Sequence, residues 1–190
     1  MTDYKIRVPG ELALDDDLVV QAQREICARR PNRMGTRSGV WFLDDKAIRS
    51  PIRDDRFFER YATSQNAQLD YLREAFILRD LEKNEISVPH VYGLHHCEGK
   101  EAPILIMEKL DIQQIDSQDM CAREKHCALI EKVEHLGYLP RDAFFNGHNC
   151  GITLDGKVYI FDFEVWGTPE RIRSGIRSCL EESAEPILSH

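Results

Sequence analysis

The stretch NCGITLDGKVYIFDFE, Asn149 to Glu164, decides how the rest of the chain is read. Gly151-Ile152-Thr153-Leu154 and Lys157-Val158-Tyr159-Ile160-Phe161 are β-prone runs joined by Asp155-Gly156, and this pattern predicts a hairpin with a type I′ turn. A tight hairpin returns the chain to its start, so Asn149 before it and Asp162 after it are expected close together. An amide oxygen and a carboxylate so placed suit Mg2+, which takes a few such oxygens and completes its shell with phosphate and water. The same two residues also fit a turn-capping Asn and a loop-opening Asp.

Upstream, Cys127, Leu129, Ile130, Val133 and Leu136 form a helical pattern around Met120 to His135, and Gly137 follows where a helix-ending glycine sits. Ala102 to Met107 is a continuous apolar run, as in a strand buried on both faces, and Val88 to Leu94 is a short β-rich run opened by proline. The two are expected to pair across His96 to Glu101. Between Asp54 and Lys83 the chain turns helical, with Leu69, Leu72, Ala75, Phe76 and Leu81 as its apolar stripe. Val40 to Leu43 and Lys46 to Arg49 read as strands joined by an Asp44-Asp45 turn. Leu14, Leu18, Val19, Ala22 and Ile26 mark an opening helix, with Asp15, Asp16 and Asp17 favoured at its N-terminus. A last helix is expected from Pro169 to about Glu182.

The whole chain is 190 residues, 42% apolar, with 25 Lys+Arg against 33 Asp+Glu and a formal charge of −8. That is the composition of one folded domain, and its acidic balance argues against nucleic acid or an anionic membrane surface as partner. No apolar run approaches the roughly 18 residues of a membrane span, and Met1 to Gly10 lacks a secretory stretch, so a cytoplasmic protein is expected. The six cysteines form no Cys-x-x-Cys pair, which leaves zinc without a ligand pattern. Cys121 and Cys127 are read as small buried apolar groups.

The order of these elements and motifs resembles the protein-kinase-like superfamily, especially minimal protein kinases and the aminoglycoside phosphotransferase branch. Asn149 and Asp162-Phe163-Glu164, thirteen positions from Asn to Asp, are similar to the family's catalytic-loop Asn and its DFG motif, here written DFE. Glu74 resembles the glutamate of the family's αC helix, and Arg49 of Lys46-Ala47-Ile48-Arg49 stands where its V-A-I-K lysine would. Met107-Glu108-Lys109-Leu110-Asp111 resembles the hinge that receives adenine through its backbone. Gly35 to Val40, with Gly35 and Gly39, resembles a shortened phosphate loop. Asp142 of Pro140-Arg141-Asp142 is the best match to the base that orients the acceptor hydroxyl. The likeness runs from about Gly35 to Glu164.

The resemblance implies an α+β, two-lobed protein-kinase-like fold, with a small antiparallel N-lobe sheet and a truncated, mainly helical C-lobe. One domain spans residues 1–190: an N-terminal helical extension over 1–34, an N-lobe over 35–108 and a reduced C-lobe over 109–190. The implied activity is ATP- and Mg2+-dependent phosphoryl transfer. Asn149 and Asp162 would hold the metal, Arg49 with Glu74 the phosphates, Gly35 and Gly39 the phosphate loop, Met107 and Glu108 the base, and Asp142 the acceptor. Three departures are visible: arginine for the β3 lysine, Pro140 for the histidine before Arg141-Asp142, and two extra residues between Asp142 and Asn149. They keep a second class open, a pseudokinase that binds nucleotide or a partner. His148 is an alternative acid or base. Only 26 residues follow Glu164, too few for the usual substrate-binding lobe, and protein Ser/Thr is preferred over a small hydroxylated molecule as acceptor.

Overall fold

Both faces of the main sheet are covered by helices, which is why its central strands read as near-continuous apolar runs. The computed structural model describes residues 4–34, 38–51, 65–95, 102–140, 149–163 and 166–182. The elements run β1 (Tyr4–Ile6), α1 (Asp16–Ala28), β2 (Arg33–Met34), β3 (Ser38–Leu43), β4 (Lys46–Pro51), α2 (Gln65–Lys83), β5 (Val91–His95) and β6 (Ile104–Glu108). There follow α3 (Met120–His135), β7 (Cys150–Ile152), β8 (Val158–Ile160), α4 (Glu170–Ser178) and β9 (Leu180–Glu182). Five strands pair antiparallel in the order β2-β3-β4-β6-β5, giving the expected α+β class.

Alternation along β6 divides two cores. Ile104 and Ile106 join Ala22, Trp41 and Ile48 on the α1 side, while Leu105 and Met107 join Leu72, Ala75 and Leu78 of α2. The residues read as an N-terminal extension therefore supply an edge strand and the helix that covers the outer sheet face. Asp15 caps α1 by accepting the Asp17 N–H at 2.9 Å, and the Trp41 indole N–H donates to the Arg29 carbonyl at 2.9 Å, pinning the far end of α1 to β3.

Helices α2 and α3 stop by the same device, a left-handed residue whose neighbours bond back into the last turn. After α3 it is Gly137, at φ 85°, with its N–H on Glu134 and that of Tyr138 on Val133. After α2 it is Glu85, at φ 59°, with its N–H on Glu82 and that of Ile86 on Leu81.

Three expectations are corrected. The β7–β8 loop is not a type I′ turn: Gly156 is at φ 81°, Asp155 is not left-handed, and Thr153 still pairs with Lys157. Leu154, Asp155 and Gly156 form a three-residue loop, a type I turn closed by a left-handed glycine, and the Thr153 hydroxyl supports it by donating to the Asp155 carboxylate and accepting from the Lys157 N–H. The last helix ends at Ser178; Leu180–Glu182 is a strand paired with Tyr4–Ile6, because Ile6 and Leu180 both pack on the α2 core. Cys121 and Cys127 are exposed on α3. Among the described residues no helix is long and apolar enough to cross a membrane.

Candidate active site

The strand alternation that sends Ile48 toward α1 sends Arg49 toward α2. There its guanidinium is ion-paired with the Glu74 carboxylate, and Nη2 lies 3.6 Å from Asp162 Oδ1. The Arg49 and Glu74 side chains are only 14% and 11% exposed, whereas Asp162 is 40% exposed, so the pair is shielded and its third member faces solvent. Arg49 also lies 5.9 Å from the Tyr71 ring centroid, and the Tyr71 hydroxyl donates to Ser38 Oγ at 3.0 Å. Lys46 takes the opposite face, on Asp45 at 2.7 Å and over the Tyr92 ring, and does not share this site.

The hairpin delivers Asp162. The Phe161 N–H donates to the Asn149 carbonyl at 2.9 Å, extending the β7–β8 pairing by one step and bringing the chain at Asn149 beside the residue before Asp162. Asp162 itself is at φ 65°, a left-handed conformation that costs a non-glycine residue on the order of 1 kcal/mol. The next residue explains how it is held. Phe163 is buried and meets Trp166 edge-on at 4.7 Å, and the Trp166 carbonyl accepts a hydrogen bond from Arg73 of α2.

Asp162 Oδ1 is buried without a hydrogen-bond donor, which leaves lone pairs for a cation. Among the described residues no group of three or more His, Cys, Asp or Glu side chains gathers. One carboxylate and one amide fit Mg2+, which is commonly held by one or two protein oxygens plus phosphate, better than a cation needing an all-protein cage.

The other expected residues fare differently. Gly39 pairs with Ser50, and a Cβ there would lie 2.7 Å from the Trp41 ring and 2.9 Å from Pro31, so packing requires this glycine. Met107 sits within the sheet between Ala47 and Val91. The N–H groups of Glu108 and Lys109 donate to the His90 and Asp45 carbonyls, so these amides are engaged by the protein itself. Gly35, Asp142, His148 and Glu164 lie outside the described residues. Before that segment, Leu139 and Gly167 exchange two backbone hydrogen bonds of 3.0 and 2.9 Å.

Ser38, Asp70, Tyr71 and Arg73 line the same recess as Arg49, Glu74 and Phe163, and the sequence reading did not single them out. The available signal was helical spacing: Asp70, Arg73 and Glu74 stand at i, i+3 and i+4 and share one face of α2. Taken together, a strand cation paired to a helix glutamate stands beside the hairpin that carries Asn149 and Asp162.

No family model and no curated protein matches the sequence. Among solved structures the chain is similar to WbdD in its co-crystal with the kinase inhibitor LY294002, at TM-score 0.49 and 16% identity over 76% of this chain and 34% of that one. It is also similar to the Legionella pneumophila Lpg2603 kinase bound to IP6, at TM-score 0.43 and 16% identity over 77% of this chain and 54% of that one. The chain thus spans about a third and about half the length of these two proteins.

Proposed function

We propose that the chain is an ATP- and Mg2+-dependent phosphotransferase acting on a hydroxyl group, with protein Ser/Thr favoured over a small hydroxylated molecule. The observation that carries this reading is Arg49 ion-paired with Glu74 and reaching the strained Asp162. Phosphoryl transfer asks little covalent chemistry of a protein; it needs phosphates positioned and charge neutralised, and the strand-cation–helix-glutamate pair and the metal-binding aspartate must both be in place.

Each residue then has a task. Asp162 and the Asn149 amide oxygen hold Mg2+, which when bound neutralises phosphate charge. Arg49, oriented by Glu74, steadies the α- and β-phosphates with a planar fork where a lysine would offer a point charge. Asp142 accepts the proton of the acceptor hydroxyl as its oxygen bonds to the γ-phosphorus and the bond to ADP breaks. Adenine is received by backbone beyond Lys109, since the Glu108 and Lys109 amides are already bonded.

The test is thermal melting with and without Mg2+ and ATP, because a ligand that binds only the folded state raises the midpoint. A rise with Mg2+·ATP that Asp162→Asn makes independent of Mg2+, together with turnover lost in Asp142→Asn, supports the reading. No rise at millimolar ATP overturns it. A second reading, a pseudokinase that binds nucleotide without turnover, draws on the same contact: Arg49 already places a cation against Asp162. It predicts a midpoint rise equal in EDTA and in Mg2+, with no ADP formed.

A further inference from the structure

Helix α2 carries more than Glu74. Two turns further on, Asp80 meets the end of α3 and the start of α4. Its carboxylate accepts from Arg171 of α4 through Nε at 3.0 and 3.2 Å and Nη2 at 2.6 Å, and from the Tyr138 hydroxyl at 2.7 Å. The remaining arm of Arg171, Nη1, donates to the Leu136 carbonyl at 2.7 Å, at the end of α3. One guanidinium therefore ties α2 to the ends of two other helices. Tyr138 is fully buried and is turned into this junction by the left-handed Gly137 before it.

The Arg171 side chain is 44% exposed and that of Asp80 19%, and the two-point contact together with the hydroxyl of the buried Tyr138 fixes direction as well as distance. Midway along α2, Arg73, the residue before Glu74, donates to the Trp166 carbonyl, three residues past Phe163. The helix is thus held at Arg73, beside Glu74, and again at Asp80, while the partner of Glu74, Arg49, belongs to the sheet.

We propose that Arg171 and Tyr138 are positioning residues for the Arg49–Glu74 pair: acting through Asp80, they set the register of α2 from the ends of α3 and α4 and so decide whether Glu74 meets Arg49. The consequence for catalysis rests on the reading of Arg49 and Glu74 as the phosphate clamp.

The deciding experiment is a double-mutant cycle in urea unfolding, run on the full chain with Arg171→Ala, Glu74→Gln and the double variant. Asp80 and Glu74 are six residues, about 9 Å, apart along the helix, and effects at such separations ordinarily add. Glu74→Gln is expected to lower the folding constant about tenfold in the wild-type background and less than about threefold beside Arg171→Ala. Arg171→Lys keeps the charge but not the fork and is expected not to restore the full effect. Tyr138→Phe, which keeps the packed ring, gives a second cycle with coupling of the same sign. Strictly additive effects in both cycles overturn the proposal.

The nucleotide arm separates the two readings. If wild type binds Mg2+·ATP, Arg171→Ala weakens its Kd about tenfold, since only a helix in register presents Glu74 to Arg49. If wild type does not bind and the cycles are still non-additive, the phosphotransferase reading falls and the positioning role stands. If wild type binds and the cycles are additive, the positioning role falls alone.

Discussion

The Arg49 guanidinium joins two carboxylates from opposite parts of the chain, ion-paired with Glu74 and 3.6 Å from Asp162. Removing it strands Glu74, whose side chain is 11% exposed, without that counter-charge. Arg49→Met is expected to cost about 2–4 kcal/mol, as breaking one side of a shielded pair does, and Arg49→Met with Glu74→Leu to recover most of it. Urea unfolding of the single and double variants measures both.

The face of β4 on which a cation stands decides its role. Arg49→Ala should abolish the midpoint rise with Mg2+·ATP, whereas Lys46→Ala, bound to Asp45 on the other face, should leave it unchanged. An equal loss in both variants, by thermal melting, would remove the distinction.

Asp162 is where stability and function are expected to part. Glycine accepts φ 65° without strain and removes a buried carboxylate oxygen that has no donor. Asp162→Gly relieves this strain but removes the carboxylate 3.6 Å from Arg49, so unfolding free energy should rise by less than about 1 kcal/mol while any Mg2+ dependence of nucleotide binding is lost. Isothermal titration alongside urea unfolding checks the two halves separately.

Acid should open the Asp80 junction. Burial pushes its carboxyl upward, but hydrogen bonds from Arg171 and Tyr138, with the nearby Lys83 charge, outweigh it and hold it below the ordinary 3.8. A carboxyl lowered in the folded state contributes its stability above the unfolded value and loses it as pH falls through the native one. The gap in unfolding free energy between wild type and Asp80→Asn is expected to be fully present at neutral pH and to narrow as pH falls below the ordinary carboxyl value, which urea unfolding across acid pH measures.

Glu85 offers a control remote from the site. It holds a left-handed helix end at φ 59°, the position glycine fills after α3. Glu85→Gly should stabilise by about 0.5–1 kcal/mol, raising the melting midpoint by roughly 1–4 °C.

The sequence made legible whatever depends on one period or one turn. The opening helix, the Asp44-Asp45 connection, the long helix with Glu74 and the Gly137 helix stop were all readable because local spacing or a single conformational need specifies them. Asn149 and Asp162 were readable as neighbours because a hairpin ties them, even though its turn was misjudged. What long-range pairing specifies was hidden. Leu180 to Glu182 looked helical because nothing local announces a partner at Tyr4 to Ile6. Arg171, Tyr138 and Asp80 were ordinary letters on three segments until packing brought them together.

The ribbon between β1 and β9 sets Tyr4 opposite Glu182, so three residue pairs close a loop containing most of the chain. Loop entropy rises only slowly with length, yet contacts between such distant segments are slow to form. The sheet and α2 are built from nearer contacts and can assemble before this clasp exists. The clasp then lays Ile6 and Leu180 against the core that α2 fills. It is accordingly expected to fasten last in assembly and to loosen first in native-state opening, which faster hydrogen exchange at the amides of β1 and β9 than at those of β4 would show.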